Sequence, residues 1–486
     1  MKTLVEYLAS RAETRPDALF AADGAGGRLT NEEAWALARR MAGAMASGSG
    51  VKAGDPVVAR CAQRVEYLAL CMACNLLGAV FVPLEEKASG ERKLEILQET
   101  GAVLYVSMAE EETGIPAVTY AALREMDAPL CPVSFPPEDS VSEILYTTGT
   151  TGKSKGIVIT HRANIALAEN VRCGVSMRPD SVEMIPLAMS HSHGLRTFYA
   201  NLLNGGGVVV TDGVVKIKAL FELMDRERVT ALDLSPSAAQ FLIRLGRDAF
   251  WEKARALDYI EIGTAALPEE LKEELIAHLP GVRLYNFYGS TESGRTCVLD
   301  FSQERDRKKC IGKPTKNAEI IFTDEQRHPV AATGEQPGLL ASRGPMNMTG
   351  YFRSEELTRE VLIDGFVCTN DMGYMDEQGF VFVLGRLDDV INCSGIKISP
   401  GEIEDIALQV PGVAEAACVG KADPTAGAIP WLYVVAKEGS VLSAEELQAF
   451  LGQRIERGKM PRTVEVIEEL PRTYNGKINR KELAKR

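Results

Sequence analysis

At 486 residues, with 45% hydrophobic and 25% charged side chains, the chain is too long for one hydrophobic core; two or more globular domains are expected, and disorder is not. A formal net charge of −13 excludes broad electrostatic binding to nucleic acid or an anionic membrane, so an anionic ligand needs locally placed Lys, Arg, backbone N–H groups or a divalent cation. The opening MKTLVEYLASRAETRPD is too charged for a secretory signal, and no apolar run reaches membrane-spanning length, which points to a cytoplasmic protein.

Along the chain, strand-like runs alternate with amphipathic helical patterns. The tight pair Cys71 and Cys74 falls in the apolar helical stretch YLALCMACNLLGAVFVP. No second pair completes a zinc or redox motif, so the ten cysteines read as small buried residues of a reducing compartment. Strands are expected at 80–83, 103–106, 143–146, 208–210 and 257–262, and helices at 91–100, 216–228 and 269–278. That alternation implies an α/β fold of layered, mostly parallel sheets. From Lys313 the texture changes to short strands broken by Gly and Pro, an antiparallel β subdomain. After Arg386 a small α+β module follows. Its helices are expected at 400–410 and 443–457, the second with Ser443 as N-cap and Glu446 at the capping-box position, and its strands at 416–419 and 431–436. The domains are therefore taken as 1–387 and 388–486.

Several segments carry chemistry. After the strand-like SEILY, the run Thr147, Thr148, Gly149, Thr150, Thr151, Gly152, Lys153, Ser154, Lys155 offers flexible N–H donors, hydroxyls and two ammonium groups to phosphate oxygens. Only two residues separate Gly149 from Gly152, which is the wrong spacing for a Walker A loop. A solvated Gly/Thr hairpin is the bland alternative. Asn286, Phe287, Tyr288, Gly289, Ser290, Thr291 and Glu292 put an aromatic face, a hydroxyl and a hard oxygen ligand in one turn; a polar surface turn is the alternative. His191 and His193 sit two apart but lack a nearby Cys or Asp in sequence, which disfavours a metal pair. Gly385-Arg-Leu-Asp-Asp-Val-Ile391 is, on its residues alone, a charged linker at a domain border. The Asn475-Gly476 turn presents Lys477 from a loop tip.

Taken together and in order, these motifs resemble those of the adenylate-forming superfamily, which includes acyl-CoA synthetases, adenylation domains of nonribosomal peptide synthetases and beetle luciferases. The resemblance spans nearly the whole chain and is nearest to acyl- or aryl-CoA ligases. It implies a large adenylation domain and a small mobile C-terminal domain. The loop matches [ST]-[ST]-G-[ST]-T-G-x-P-K-G with Ser154 in the proline position. By resemblance, Tyr288 stacks on adenine, Gly263, Thr264 and Ala265 line it, Thr291 contacts the α-phosphate, and Glu292 with Thr148 holds Mg²⁺. Thr369-Asn-Asp-Met-Gly373 is similar to the family's TGD motif with Asn370 for glycine, making Asp371 the ribose ligand. Arg386 adds a ribose or phosphate contact, and Asp388 is the hinge. Lys477, in a P-[RK]-[TS]-x-x-G-K-like motif, bridges acid and α-phosphate. Gly395 gives room to a pantetheine arm, and Lys397 stands where relatives carry a basic residue.

The segment 185–195 is similar to the FHxHG substrate-side motif, with Ser190 for the aromatic and His191 as the catalytic-side histidine. Ser192 falls where amino-acid-activating relatives carry an aspartate, which disfavours an α-ammonium substrate. Arg196 is a candidate for a second acidic group on the substrate, with surface or ion-pairing roles as the competing readings. The implied reaction is ATP-dependent formation of acyl-AMP from a fatty, aryl or other non-amino acid, with pyrophosphate released. Transfer to coenzyme A follows. A carrier-protein phosphopantetheine as acceptor, and a non-catalytic nucleotide-binding regulator, are the alternative readings.

Overall fold

The computed structural model describes residues 2–147, 155–394, 396–437, 439–472 and 478–486. The chain divides into two compact units: Met1–Ile320 with Ala341–Cys368 and Gly379–Val381, and Ile321–Leu340 with Thr369–Gln378 and Phe382–Arg486.

The first unit contains two sheets. In one, neighbouring strands run in the order Cys310–Pro314, Gly294–Asp300, Arg283–Ser290, Tyr259–Ile262, Ala231–Leu234, Val182–Ile185, Gly207–Val210, Leu19–Asp23 and Arg28–Thr30. The central strands are parallel and almost wholly buried, as expected where helices cover both faces. The second sheet orders Gly350–Tyr351, Lys155–Thr160, Val141–Thr147, Val80–Leu84, Pro56–Arg60, Leu104–Ser107 and Ala117–Thr119, again with a parallel centre. One core cluster takes side chains from both sheets, including Phe20, Ile185, Val57 and Phe81.

The helix Val65–Leu77 belongs to that cluster and is buried nearly all round, which explains its unbroken apolar sequence. Cys71 and Cys74 are fully buried within it, and burial pushes both thiols upward. Cys71 Sγ lies 3.4 Å from the Tyr199 hydroxyl, so these are packing residues. Among the described residues, no helix is long and apolar enough to cross a membrane.

The second unit contains a sheet ordered Ile396–Ile398, Ile391–Cys393, Gly427–Ala436 and Val413–Asp423, with Thr463–Ile467 parallel to Gly427–Ala436. Ile403 and Ala407 of the helix Pro400–Ala407, with Leu447 and Leu451 of Ala444–Gly452, pack into its core. Both helices are shorter than their sequence patterns. The first stops before Pro411, whose ring disfavours helix in the residue preceding it. The second ends at Gly452, a poor helix former. Ser443 accepts from the Glu446 backbone N–H, and its hydroxyl donates to Glu445. A full capping box occurs at Thr30 and Glu33.

Candidate active site

The strand Val141–Thr147 leads into the phosphate-loop sequence and Lys155–Thr160 leads out of it, paired antiparallel with Thr147 opposite Lys155. The two ends of the loop are thus held in register, with Thr147 and Lys155 at its base. Thr148, Gly149, Thr150, Thr151, Gly152 and Lys153 lie outside the described residues.

Asn286, Phe287, Tyr288 and Gly289 belong to the strand Arg283–Ser290, which turns back into Gly294–Asp300. The turn is close: a Cβ on Gly289 would lie 1.9 Å from the Gly294 carbonyl oxygen, and Gly294 itself sits at φ +65°. Thr291 and Glu292 are carried at its tip. Thr291 Oγ1 is 3.1 Å from Ser192 Oγ, at the start of the helix Ser192–Asn204. The turn read from sequence as nucleotide-binding and the segment read as acid-binding therefore meet in space. Among the described residues, the N-cap position of that helix supplies no side-chain cap bond, and its N–H groups and dipole favour an anion. Tyr351 donates its hydroxyl to Glu292 Oε1 at 2.9 Å.

Gly263 ends the strand Tyr259–Ile262, and a Cβ there would lie 2.1 Å from the Phe287 ring. Thr264 adopts φ +76° and is exposed with Ala265. Asn286 is buried and donates to the Ile262 carbonyl at 2.9 Å, tying the two strand ends together. The Phe287 ring is engaged by protein: the Arg295 guanidinium lies 3.7 Å above it and the His193 ring packs edge-on at 4.7 Å. Burial holds His191 below the ordinary imidazole range, with Glu85 opposing the shift and His193 adding to it.

Arg196 is an ion-pairing residue. It is 4% exposed and donates to Glu143 and, at 2.7 Å, to Asn164 Oδ1. Because Glu143 lies on the strand entering the phosphate loop, this pair ties the acid-side helix to that strand.

In the second unit, three predicted residues come together. Arg386 Nε lies 3.4 Å from Asp371 Oδ1, and its terminal nitrogen lies 3.5 Å from Asp388 Oδ2. Asn370 donates to both carboxylate oxygens of Asp388, at 3.0 and 3.1 Å, and accepts from Arg327 at 2.7 Å. Lys397 falls in the strand Ile396–Ile398; Gly395 and Lys477 lie outside the described residues. The segment carrying Lys477 is closed at its base by the Arg472–Ile478 bridge and a 2.7 Å bond from Asn479 N–H to the Pro471 carbonyl. Arg480 anchors it further by pairing with Glu404 and donating to the Cys418 carbonyl. Glu404, on the helix Pro400–Ala407, serves as that anchor.

Family models agree with the geometry. The AMP-binding enzyme model matches residues 8–352, and the AMP-binding enzyme C-terminal domain model matches 402–477. The chain belongs to the AMP-binding enzyme family. It is an adenylate-forming enzyme, an acid–thiol ligase of the AMP-forming kind. The chain is 31% identical over 445 residues to a 2-succinylbenzoate–CoA ligase of Bacillus mycoides, covering 90% of this chain and 89% of that one. Another from Bacillus cytotoxicus is 30% identical over 442 residues, 89% of each chain. Among solved structures, o-succinylbenzoate CoA synthetase (MenE) from Bacillus subtilis in complex with the acyl-adenylate intermediate OSB-AMP superposes with TM-score 0.86 at 26% identity, covering 98% of this chain and 97% of that one. ATP-bound MatB from Rhodopseudomonas palustris shares the fold, with TM-score 0.91 at 24% identity over 100% and 98% of the two chains.

Sequence reasoning missed a buried polar cluster in this AMP-binding enzyme. Glu183, Asp233 and Glu261 lie on three neighbouring parallel strands and are fully buried, with Asp233 paired in register to Glu261. His193 Nε2 lies 2.6 Å from Asp233 Oδ1, Thr197 donates to Asp233 Oδ2 at 2.7 Å, and Arg295 binds both oxygens of Glu261. His193, Asp233 and Glu261 are close enough to share a metal ion. The guanidinium on Glu261 already supplies the countercharge, so a structural ion-pair network is the better account. A signal was available: VEMI, ALDL and YIEI are apolar strand runs that each contain one acid.

Burial, then the neighbouring Glu261 and Asp233, raise Glu183 well above the ordinary carboxyl range. A carboxyl protonated when folded but ionised when unfolded favours folding at low pH and loses that contribution as pH climbs toward its raised value. Glu183→Gln is therefore expected to gain thermal stability relative to wild type between about pH 5 and pH 8. Melting curves across that range check it; a constant difference between the two proteins contradicts it.

Proposed function

We propose that this enzyme is an aryl-acid–CoA ligase whose substrate is of the 2-succinylbenzoate type, acting with ATP and Mg²⁺. A carboxylate oxygen attacks the α-phosphorus, pyrophosphate leaves, and the CoA sulfur then displaces AMP from the acyl carbon. The observation that carries this reading is the 3.1 Å approach of Ser192 to Thr291, which joins the N-terminus of the helix Ser192–Asn204 to the nucleotide turn. Support for the acid class comes from two sides: the relatives named above, and Ser192 itself, which offers an α-ammonium group no carboxylate partner.

In this reading Thr291 contacts the α-phosphate, Glu292 holds the cation, Tyr288 stacks on adenine, and Lys155 with the loop residues 147–153 cradles the phosphates. Asp371 and Arg386 receive the ribose, Asp388 is the hinge, and Lys477 approaches the acid and α-phosphate. His191 lies on the acid side. Tyr351 engages Glu292 Oε1, which leaves Oε2 as a hard carboxylate oxygen suited to Mg²⁺. The bound cation neutralises phosphate charge.

Pyrophosphate release scored against 2-succinylbenzoate, simple benzoates, short dicarboxylates, fatty acids and amino acids tests the reading. CoA and a phosphopantetheinyl carrier protein are offered separately as thiols. Preferential release with 2-succinylbenzoate, and thioester formed on CoA, is expected. Faster turnover of another class reassigns the acid. No acid-dependent release at all favours the regulatory alternative.

A further inference from the structure

The segment Met348–Phe352 is bonded to two parts of the nucleotide site at once. Met348 N–H donates to the Glu292 carbonyl at 2.8 Å. Gly350 and Tyr351 pair antiparallel with Val158 and Ile157 of the strand leaving the phosphate loop, and Phe352 N–H donates to the Gly156 carbonyl at 2.7 Å. A Cβ on Gly156 would lie between 3.0 and 3.2 Å from Ile144, Tyr146 and Phe352, so the backbone there is closely packed.

From this segment the side chain of Tyr351, only 8% exposed, reaches Glu292 Oε1 at 2.9 Å. Lys155 Nζ lies 5.5 Å from the centroid of the same ring, within cation–π range. A carboxylate at a hairpin tip has rotamer freedom that must be removed before it can serve as a ligand of fixed position, and second-contact hydrogen bonds commonly do this. One tyrosine here meets both an acid and an ammonium group assigned to the nucleotide phosphates.

We propose that Tyr351 is a positioning residue of the nucleotide site: its hydroxyl fixes one oxygen of Glu292, leaving the other for the divalent cation, and its ring seats Lys155. The proposal rests on the reading that Glu292 binds that cation. Tyr351→Phe isolates the hydroxyl because the ring, and with it the Lys155 contact, is retained. Losing a hydrogen bond to a charged group is expected to raise the Mg²⁺ concentration for half-maximal pyrophosphate exchange by about tenfold. Turnover at saturating Mg²⁺ falls by no more than about threefold, because the lost interaction acts through metal binding. Mn²⁺ binding in the presence of ATP, read by electron paramagnetic resonance without turnover, weakens by a similar factor. ATP binding without metal is unchanged.

Glu292→Gln separates the two levels of the argument. If it keeps the wild-type metal requirement, the nucleotide-site reading fails and the brace with it. If it shifts the requirement and Tyr351→Phe does not, the brace alone fails. The double variant should be no more metal-demanding than Glu292→Gln, since both changes act on one carboxylate; additive effects overturn the proposal. A Tyr351→Phe loss that is equal at every metal concentration also overturns it.

Discussion

Lys477→Ala is expected to lower acid-dependent pyrophosphate exchange by about two to three orders of magnitude, the scale set by losing one preorganised donor to a developing charge. Bringing a carboxylate to the α-phosphate opposes two anions, and an ammonium positioned between them relieves that repulsion where a solvated lysine does not. The anchoring around this segment supports a presented lysine. Arg472 and Ile478 close its base, and Arg480 is held by Glu404 and the Cys418 carbonyl. Burial works against the Arg480 charge, yet Glu404 with Asp389 holds it above its usual range. That pinned guanidinium anchors the chain just after Ile478. Thioester formation from supplied acyl-adenylate should stay within about threefold of wild type, because that step no longer joins two anions. Equal losses in both half-reactions reject the assignment.

Groupings of candidate residues that depend on neighbours in sequence were legible. The turn holding Thr291 and Glu292 is one, because Gly289 and Gly294 bracket a hairpin and the candidate side chains lie within it. Asp371, Arg386 and Asp388 are another; all three fall between positions 371 and 388, and they form one cluster. Asn370, an unexplained departure from glycine in the sequence, finds its physical reason in the bonds it makes to Asp388. Contacts that depend on strand register were not legible. Tyr351 reaches Glu292 only because its two-residue strand pairs with the strand leaving the phosphate loop. Glu183, Asp233 and Glu261 are separated by whole helices in the chain, and parallel pairing alone assembles them.

That cluster sets the second large effect, on stability. Burial works against the charge of Arg295, yet Glu261, Asp233 and Glu183 together hold its guanidinium above its usual range. Burial pushes Glu261 up while Arg295 offsets part of that shift. Arg295→Met removes the guanidinium that binds Glu261 but leaves three buried carboxyls in place. Breaking a buried pair from one side costs about 3–5 kcal/mol, more than most single substitutions. The expected result is an apparent Tm lower by roughly 5–15 °C. Phe287 also loses the cation over its face, so its ring is held less firmly. Adding Glu261→Gln to Arg295→Met removes the uncompensated charge while keeping an amide of the same shape. The double variant should therefore recover more than half of the lost Tm, since contacting residues are not additive. Differential scanning of wild type, both single variants and the double variant measures it. A Tm for Arg295→Met within about 2 °C of wild type, or no recovery in the double variant, means that the cluster is not held by this pair. Recovery of stability without recovery of pyrophosphate exchange would separate the two roles of Arg295: countercharge to Glu261, and platform for the Phe287 ring beside the nucleotide turn.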